Sequence, residues 1–334
     1  MFLMKRLKTM KKIIQIKPEV KQAIINSNKL TESWVPHLPS IYQIEVMSKC
    51  DFSCSFCQTG IKSGEKLRLA ESSISEELFY KIVERDLGGS SFVELQWRGE
   101  PTLNKKLNEY VLALRDKVLV GFSTHGGLLH TDHAIQAALN SHYITISMDA
   151  GEKELYEQLR IGGIWEKLVA NITELLQAKG NRLLPIVDLQ LIEFENFECQ
   201  VLNIERLGDL HGWWKKDGSV RIRTVKDTQA PWTQNYKSHN HHDLCTNPWY
   251  SVSIKVNGDV CACCMTFDDN KDLVYGNLND ASLEEIWNSH VVRQFRVAHR
   301  HGFMPRFCNE CYARSPHNLH TKLTNEILQI KLRN

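Results

Sequence analysis

The sequence predicts an α/β fold, a parallel sheet with helices on its outside, followed by a smaller cysteine-bearing unit. Three observations carry that expectation. From about residue 41 to 224, short β-rich runs alternate with amphipathic helical stretches, the order that sets crossover helices between parallel strands. The 334 residues, 42% of them hydrophobic, suffice for one large α/β domain plus a smaller one, or for two ordinary domains. Six of the ten cysteines lie in the last third, where the pattern changes to a hairpin and a helix.

The elements follow in order. IYQIEVMS (41–48) reads as a strand feeding directly into a cysteine loop. SISEELFYKIVERDL reads as a helix, opened by Ser73 or Ser75 as cap with acids in its first turn. SFVELQW (91–97), VLVGFSTH (118–125) and YITISMD (143–149) read as strands, with LNEYVLALRDK and HAIQAALNS as the helices between them. IWEKLVANITELLQAK (164–179) is a long helix, LPIVDLQLIEF (184–194) a strand, CQVLNIERLGDL a helix and SVRIRTV (219–225) the closing strand. Six strands with helical crossovers imply a parallel sheet; length does not separate an open doubly wound sheet from a curved partial barrel. The polar, Pro/Asn/His-rich stretch 226–243 reads as a linker. Beyond it, WYSVSIKVNGDVCAC is a hairpin turned at Asn257-Gly258, and SLEEIWNSHVVRQFRVAHR a helix. The organisation is therefore a basic extension (1–38), a main domain (39–225), a linker (226–243) and a cysteine-rich domain with its tail (244–334).

A formal charge of +2 gives nucleic acid no electrostatic claim as main partner. The basic run MKRLKTMKK lacks the apolar stretch and cleavage site of a secretory signal, and no segment approaches the ~20 apolar residues that span a bilayer. A cytoplasmic location follows as the expectation. There thiols stay reduced, so ten cysteines gathered at two distant places point to two metal sites rather than disulfides.

The first site is CDFSCSFC, in which Cys50, Cys54 and Cys57 are spaced C-x3-C-x2-C and no fourth thiol lies nearby. Such a loop can present three thiolates to one face of an iron–sulfur cube and leave the fourth iron without a protein ligand. An open coordination position marks a catalytic metal site, and soft thiolates favour iron–sulfur or zinc. For the triplet alone, a zinc completed by a distant histidine, or three unrelated thiols, stays open.

This loop, with Phe56 before its last cysteine, resembles the cluster loop of the radical S-adenosylmethionine (SAM) superfamily. Further matches follow in order, each at or just after the C-terminal end of an expected strand. Arg98-Gly99-Glu100-Pro101 resembles the family's GGEP loop, Ser123-Thr124-His125-Gly126 its TNG turn and Ser147-Met148-Asp149-Ala150 its S-L-D-G. Tyr156-Glu157-Gln158-Leu159-Arg160 resembles the Y-E-x-I-R segment that comes next. That end of the strands is where α/β sheets and barrels bind ligands.

The resemblance covers residues 40–225 and implies a partial (β/α)6 barrel with a [4Fe–4S] cluster on Cys50, Cys54 and Cys57. SAM would occupy the vacant iron through its amino and carboxylate groups. One electron would then split it into methionine and a 5′-deoxyadenosyl radical that abstracts hydrogen from substrate. Gly99 and Glu100 would bind the methionine amino group, Phe56 would pack near the adenine, and Ser123, Ser147 and Arg160 would sit near the carboxylate and ribose. Arg98, His125 and Ala150 depart from the family's Gly, Asn and Gly; Arg98 or His125 could face substrate instead.

The second site combines Cys245, Cys261, Cys263, Cys264, Cys308 and Cys311 with a G-x-V-x-x-C pattern at Gly258. It resembles the auxiliary-cluster extensions called SPASM and twitch. No cysteine follows Cys311, so the single-cluster twitch version fits better, with Cys245, Cys263, Cys308 and Cys311 as ligands and Cys264 as a substitute for Cys263. A structural zinc ribbon on the same four residues is the alternative. Cys199, Cys261 and Cys264 read as buried small hydrophobes, one of which could donate hydrogen to a substrate radical. His239, His241 and His242 read as solvated, and Trp213-Trp214 as packing.

Relatives of this class mostly modify ribosomally made peptides by cross-linking, epimerisation or excision of backbone; a minority dehydrogenate aminoglycosides. The expectation is a radical SAM peptide maturase with two [4Fe–4S] clusters. It would draw electrons from a flavodoxin or ferredoxin, and a precursor peptide would reach it through the basic extension or a separate recognition protein. A small-molecule dehydrogenase is the alternative, and a non-catalytic zinc or iron–sulfur module the remote one.

Overall fold

A computed structural model of the chain describes residues 33–57, 72–87, 92–194, 197–226, 245, 247–264, 273–303 and 308. The linker expected at 226–243 loses its first residue, Lys226, to a strand; the rest of it (His239, His241 and His242 included), Cys311 and most of the N-terminal extension lie outside the described residues.

The six expected strands are β1 (Ile41–Ile44), β2 (Phe92–Glu94), β3 (Leu119–Thr124), β4 (Tyr143–Ser147), β5 (Ile186–Glu193) and β6 (Val220–Lys226), each pairing in parallel with the next. Order in space follows order in sequence without reversal. Right-handed crossovers then all fall on one face, which selects the partial barrel over a doubly wound sheet with its switch point. The crossover helices are α1 (Glu76–Lys81), which passes into a π-helical turn over Ile82–Asp86, α2 (Leu107–Arg115), α3 (Asp132–Asn140), α4 (Lys153–Leu159), α5 (Trp165–Lys179) and α6 (Phe197–His211). Ser75, rather than Ser73, caps α1 by accepting from the Leu78 amide at 3.2 Å. Helix α4, over the Tyr156 segment, is too short for a periodic apolar signal to mark it in the sequence.

Strand alternation sorts the two faces. Tyr42, Ile44, Val93, Leu95, Val120, Phe122, Ile144, Ile146, Val187 and Leu189 join the helices in one large apolar core. On the opposite face Ile41, Phe92, Leu119, Tyr143 and Ile186 form a separate apolar plug at the N-terminal ends of the strands. Beyond the plug that face turns polar. Ser123 Oγ donates to Glu94 at 3.3 Å, Arg221 pairs with Asp188, and Arg223 Nη1 donates to Tyr143 Oη at 2.8 Å. A barrel filled only for stability carries branched apolar layers there; this one has a charged lining.

The expected hairpin is β7 (Ser251–Ile254) and β8 (Asp259–Cys261), with Gly258 at φ 90° in its turn, and β9 (Val274–Asn277) pairs antiparallel with β8. The hairpin is not a detached sheet. Strand β7, led in by the short helix α7 (Asn247–Tyr250), pairs in parallel with β1, giving one nine-stranded sheet. The helix expected over 282–300 is two, α8 (Leu283–Trp287) and α9 (His290–Arg300). Asn288 breaks it: its side chain accepts from the Val35 amide at 3.0 Å and donates to the Val35 carbonyl at 2.7 Å. Ser282 and Ser289 cap the two halves.

Candidate metal centre and cosubstrate site

The loop 50–57 leaves the end of β1 and is strapped by the segment after α4. Ser53 and Ser55 amides donate to the Ile161 and Leu159 carbonyls at 2.8 and 2.9 Å. Its floor is apolar: Phe52, Cys54, Phe56 and Ile192 are buried together, with Cys50, Cys57, Leu159 and Phe194 packed against them. Burial pushes the Cys50 thiol up, and Glu100 beside it adds to the shift. Burial also raises Cys54, opposed by Arg160. As bare thiols they stay protonated, so bound metal cations must supply the charge that draws off their protons. Among the described residues, one set of three metal-type ligand atoms lies mutually within 4.8 Å: Cys50, Asp51 and His125. The three thiols do not make such a set, whereas thiolates on one tetrahedral zinc stand roughly 3.8 Å apart at Zn–S distances of about 2.3 Å. Three soft donors spread more widely on a dry floor fit an iron–sulfur cube.

Three strand-end loops converge on these cysteines. A Cβ at Gly99 would lie 2.3 Å from the Met47 carbonyl and 2.7 Å from that of Lys49, so this loop packs backbone to backbone against the approach to Cys50. The Glu100 amide donates to Lys49 O at 2.8 Å. The Glu100 carboxylate is buried and accepts from Thr102 N at 3.0 Å, Thr124 Oγ1 at 2.6 Å and His125 N at 2.9 Å. It therefore fastens the loop after β2 to the loop after β3. Ser123 and Ser147 sit half-buried near the ends of β3 and β4.

His125 lies within this knot. Its ring stacks on Phe52 with centroids 3.7 Å apart, Nδ1 accepts from Gly127 N at 2.9 Å, and Nε2 meets Asp51 Oδ1 at 2.8 Å. Because Nδ1 accepts, the proton belongs on Nε2 and is donated to Asp51. Arg98 is likewise engaged: its guanidinium grips both oxygens of the fully buried Glu45 at 2.8 Å. Both residues allowed for substrate contact are thus committed to protein partners.

Arg160 Nε donates to Asp149 Oδ2 at 2.7 Å, Nη2 pairs with the same carboxylate, and Nη1 points to Cys54 Sγ at 3.6 Å. Its guanidinium lies 5.1 Å from the Phe56 ring. The structure thus gives the fork of Arg160 to Asp149 and sets the remaining nitrogen against a cluster-loop thiol. Asp149 adopts φ 59°, the left-handed region, and also accepts from Ile192 N at 3.1 Å. That strain at a strand end is the mark of a residue held for its position, and the S-M-D-A motif alone did not give Asp149 this role.

Of the C-terminal thiols, Cys261 and Cys308 are buried and Cys245, Cys263 and Cys264 half-buried, Cys308 sharing the large apolar core with Tyr275. Cys261 ends β8, and burial pushes its thiol up to about 12. The Cys264 carbonyl accepts from Trp97 Nε1 at 2.8 Å. Cys199 is exposed in the first turn of α6. Trp213 is fully buried with its Nε1 on Thr173 Oγ1 at 2.9 Å, and so packs as expected. The Tyr275 hydroxyl is buried without a hydrogen-bond partner. Thiol donors are soft and fit an iron–sulfur group. Tyr275 carried no signal in the sequence, being one aromatic in a strand.

Residues 44–190 match the family model of the radical SAM superfamily, and residues 245–312 that of the SPASM iron–sulfur cluster-binding domain. The two matches together span more than half of the chain. The protein is a member of the radical SAM superfamily of enzymes with a C-terminal SPASM/twitch domain. These domains carry SAM and multiple [4Fe–4S] clusters. No curated protein matches the chain. Among solved structures, Streptococcus suis SuiB bound to precursor peptide SuiA is 12% identical, with a TM-score of 0.60 over 91% of this chain and 77% of that one. BtrN in complex with AdoMet and 2-DOIA is 16% identical, with a TM-score of 0.51 over 83% and 94%. Native anSMEcpe with bound AdoMet and Cp18Cys peptide is 12% identical, with a TM-score of 0.55 over 87% and 97%. These likenesses show the fold. Among the described residues no helix is long and apolar enough to cross a membrane.

Proposed function

We propose that the protein is a cytoplasmic radical SAM enzyme that modifies a ribosomally made peptide. Cys50, Cys54 and Cys57 hold one [4Fe–4S] cluster, and Cys245, Cys263 and Cys308, with Cys311, hold an auxiliary one. Bound together and given one electron from a flavodoxin or ferredoxin, the first cluster and SAM supply a 5′-deoxyadenosyl radical for hydrogen abstraction. The observation that carries this reading is the convergence of the Gly99–Glu100, Ser123–His125 and Ser147–Asp149 loops on a three-thiol loop.

The chain's own residues do the rest. Gly99 lets its loop close against the Met47 and Lys49 carbonyls beside Cys50, and the buried Glu100 carboxylate, held by Thr102, Thr124 and His125, adds the negative charge there that suits an ammonium group. Ser123 and Ser147 offer hydroxyls at the same rim. Arg160, neutralised on one side by Asp149, keeps positive charge against Cys54. The apolar floor of Phe52, Phe56 and Ile192 excludes water from a reactive intermediate.

The substrate lies against the charged lining of the sheet, where Glu94, Asp188, Arg221 and Arg223 offer both signs of charge. A peptide satisfies both, and two of the similar structures, SuiB with SuiA and anSMEcpe with Cp18Cys, contain one. A polar small molecule is the second reading, favoured by the likeness to BtrN with 2-DOIA over 94% of that chain. For the reaction itself the test is reductive SAM cleavage by anaerobically reconstituted protein. The wild type should release 5′-deoxyadenosine, and a variant with Cys50, Cys54 and Cys57 all replaced by Ala should release none. Undiminished release from the variant would show that the first site has been misassigned.

A further inference from the structure

We propose that Ile161, Ile164 and Lys167 form the docking face for the one-electron donor, a small acidic protein of the flavodoxin type. This rests on the reading that Cys50, Cys54 and Cys57 hold the cluster the electron must reach.

The segment between α4 and α5 has two sides. Inward it straps the cysteine loop: the Ile161 and Leu159 carbonyls accept from the Ser53 and Ser55 amides, one on either side of Cys54, at 2.8 and 2.9 Å. Leu159 packs against the apolar floor beneath the cysteines. Gly162, at φ 102°, lays backbone directly on the loop, where a Cβ would stand 3.3 Å from the Asp51 carbonyl and 3.5 Å from the Phe52 Cα. Outward, the same few residues show two large apolar side chains to solvent, Ile161 at 41% and Ile164 at 57% exposure. Singly such side chains carry no message. Two within four residues, on the outer side of the strap that holds Cys54, make a small apolar face beside the cluster loop.

Charge marks its rim. Lys167 is exposed three residues beyond Ile164, in the first turn of α5, where the helix dipole favours an acid. Lys49 is exposed immediately before Cys50. Acids close by are engaged within the protein: Glu166 by Lys153 at 2.7 Å, Glu157 by the Trp165 amide at 3.2 Å and Asp51 by His125 at 2.8 Å. An apolar centre with lysines at its edge suits an acidic partner, and electron carriers dock through small, transient interfaces. Electron transfer fades steeply with distance, so the carrier must touch the surface next to the cluster. Its flavin loses one electron, the first cluster gains that electron, and no atom is exchanged.

The test uses the full chain, reconstituted anaerobically and given SAM, with electrons supplied either by dithionite or by reduced flavodoxin. Ile164→Asp and Lys167→Glu suit the fold, since α5 gains an N-cap in one and a first-turn acid in the other. With flavodoxin, each should slow 5′-deoxyadenosine release roughly tenfold and weaken the calorimetric affinity for oxidised flavodoxin by a similar factor. The Lys167→Glu loss should shrink at high salt. With dithionite, which needs no docking face, both variants should match the wild type. Equal losses with the two reductants would place these residues in the site itself, and unchanged rates and affinities with flavodoxin would show that it docks elsewhere; either result overturns the face. A wild type that releases no 5′-deoxyadenosine even with dithionite would instead overturn the cluster reading beneath it.

Discussion

At Gly99 two loops of the site touch through their backbones, and a single methyl group decides whether they can. The atoms it would strike are the Met47 and Lys49 carbonyls, which cannot rotate aside like a flexible side chain. Gly99→Ala should therefore cost about 1–3 kcal/mol by overpacking and push the Cys50 loop outward. Iron analysis checks this: about four irons should be lost from the first site while the auxiliary four remain. Retention of all eight would show that the loop adapts. Single residues stood out in the sequence where spacing suggested chemistry, as for Cys50, Cys54 and Cys57. They were not legible where a partner decided the role. Arg98 and His125 stood out as departures, but nothing local showed that Glu45 and Asp51 would claim them, Glu45 from 53 residues away in the chain. The choice of Cys263 over Cys261 rested on alignment with a pattern, since two residues apart on an extended strand the two thiols share a face and local periodicity does not separate them.

Among elements, the join of β7 to β1 carries the most consequence. Glu45, just past β1, accepts from Arg98 beyond β2 and from Val256 N at 3.3 Å in the hairpin after β7. One carboxylate thus binds the barrel, the loop that leads to Gly99 and the strand pair that leads to Cys263. Glu45→Ala takes from the buried Arg98 the carboxylate that holds both arms of its fork, which should cost about 3–5 kcal/mol. The double variant Glu45→Ala, Arg98→Met should recover most of that loss. Denaturant unfolding of the loaded proteins checks it, and additive losses would show that the pair is not coupled. Alternating strands and helices were visible because each has its own period. The β1–β7 pairing was not, since strands some 210 residues apart share no local signal. Nor was the break at Asn288, which depends on Val35 across the fold.

Across the whole molecule, both cysteine groups hang from a single nine-stranded sheet. The loop after β1 carries Cys50, Cys54 and Cys57, and the end of β8, two strands further along the sheet, leads to Cys263. Trp97 and Arg98 lie between them, one bonded to the Cys264 carbonyl and the other leading into Gly99. A rigid frame of this kind suits two redox centres whose separation must not drift. The central claim is that the first centre keeps one iron unligated by protein and open to SAM. It is tested most directly by the electron paramagnetic resonance spectrum of the reduced protein carrying Cys245, Cys263 and Cys308→Ala, recorded with and without SAM. The account predicts a four-iron signal that shifts when SAM is added. A signal indifferent to SAM, or a preparation holding zinc and no iron, would contradict it.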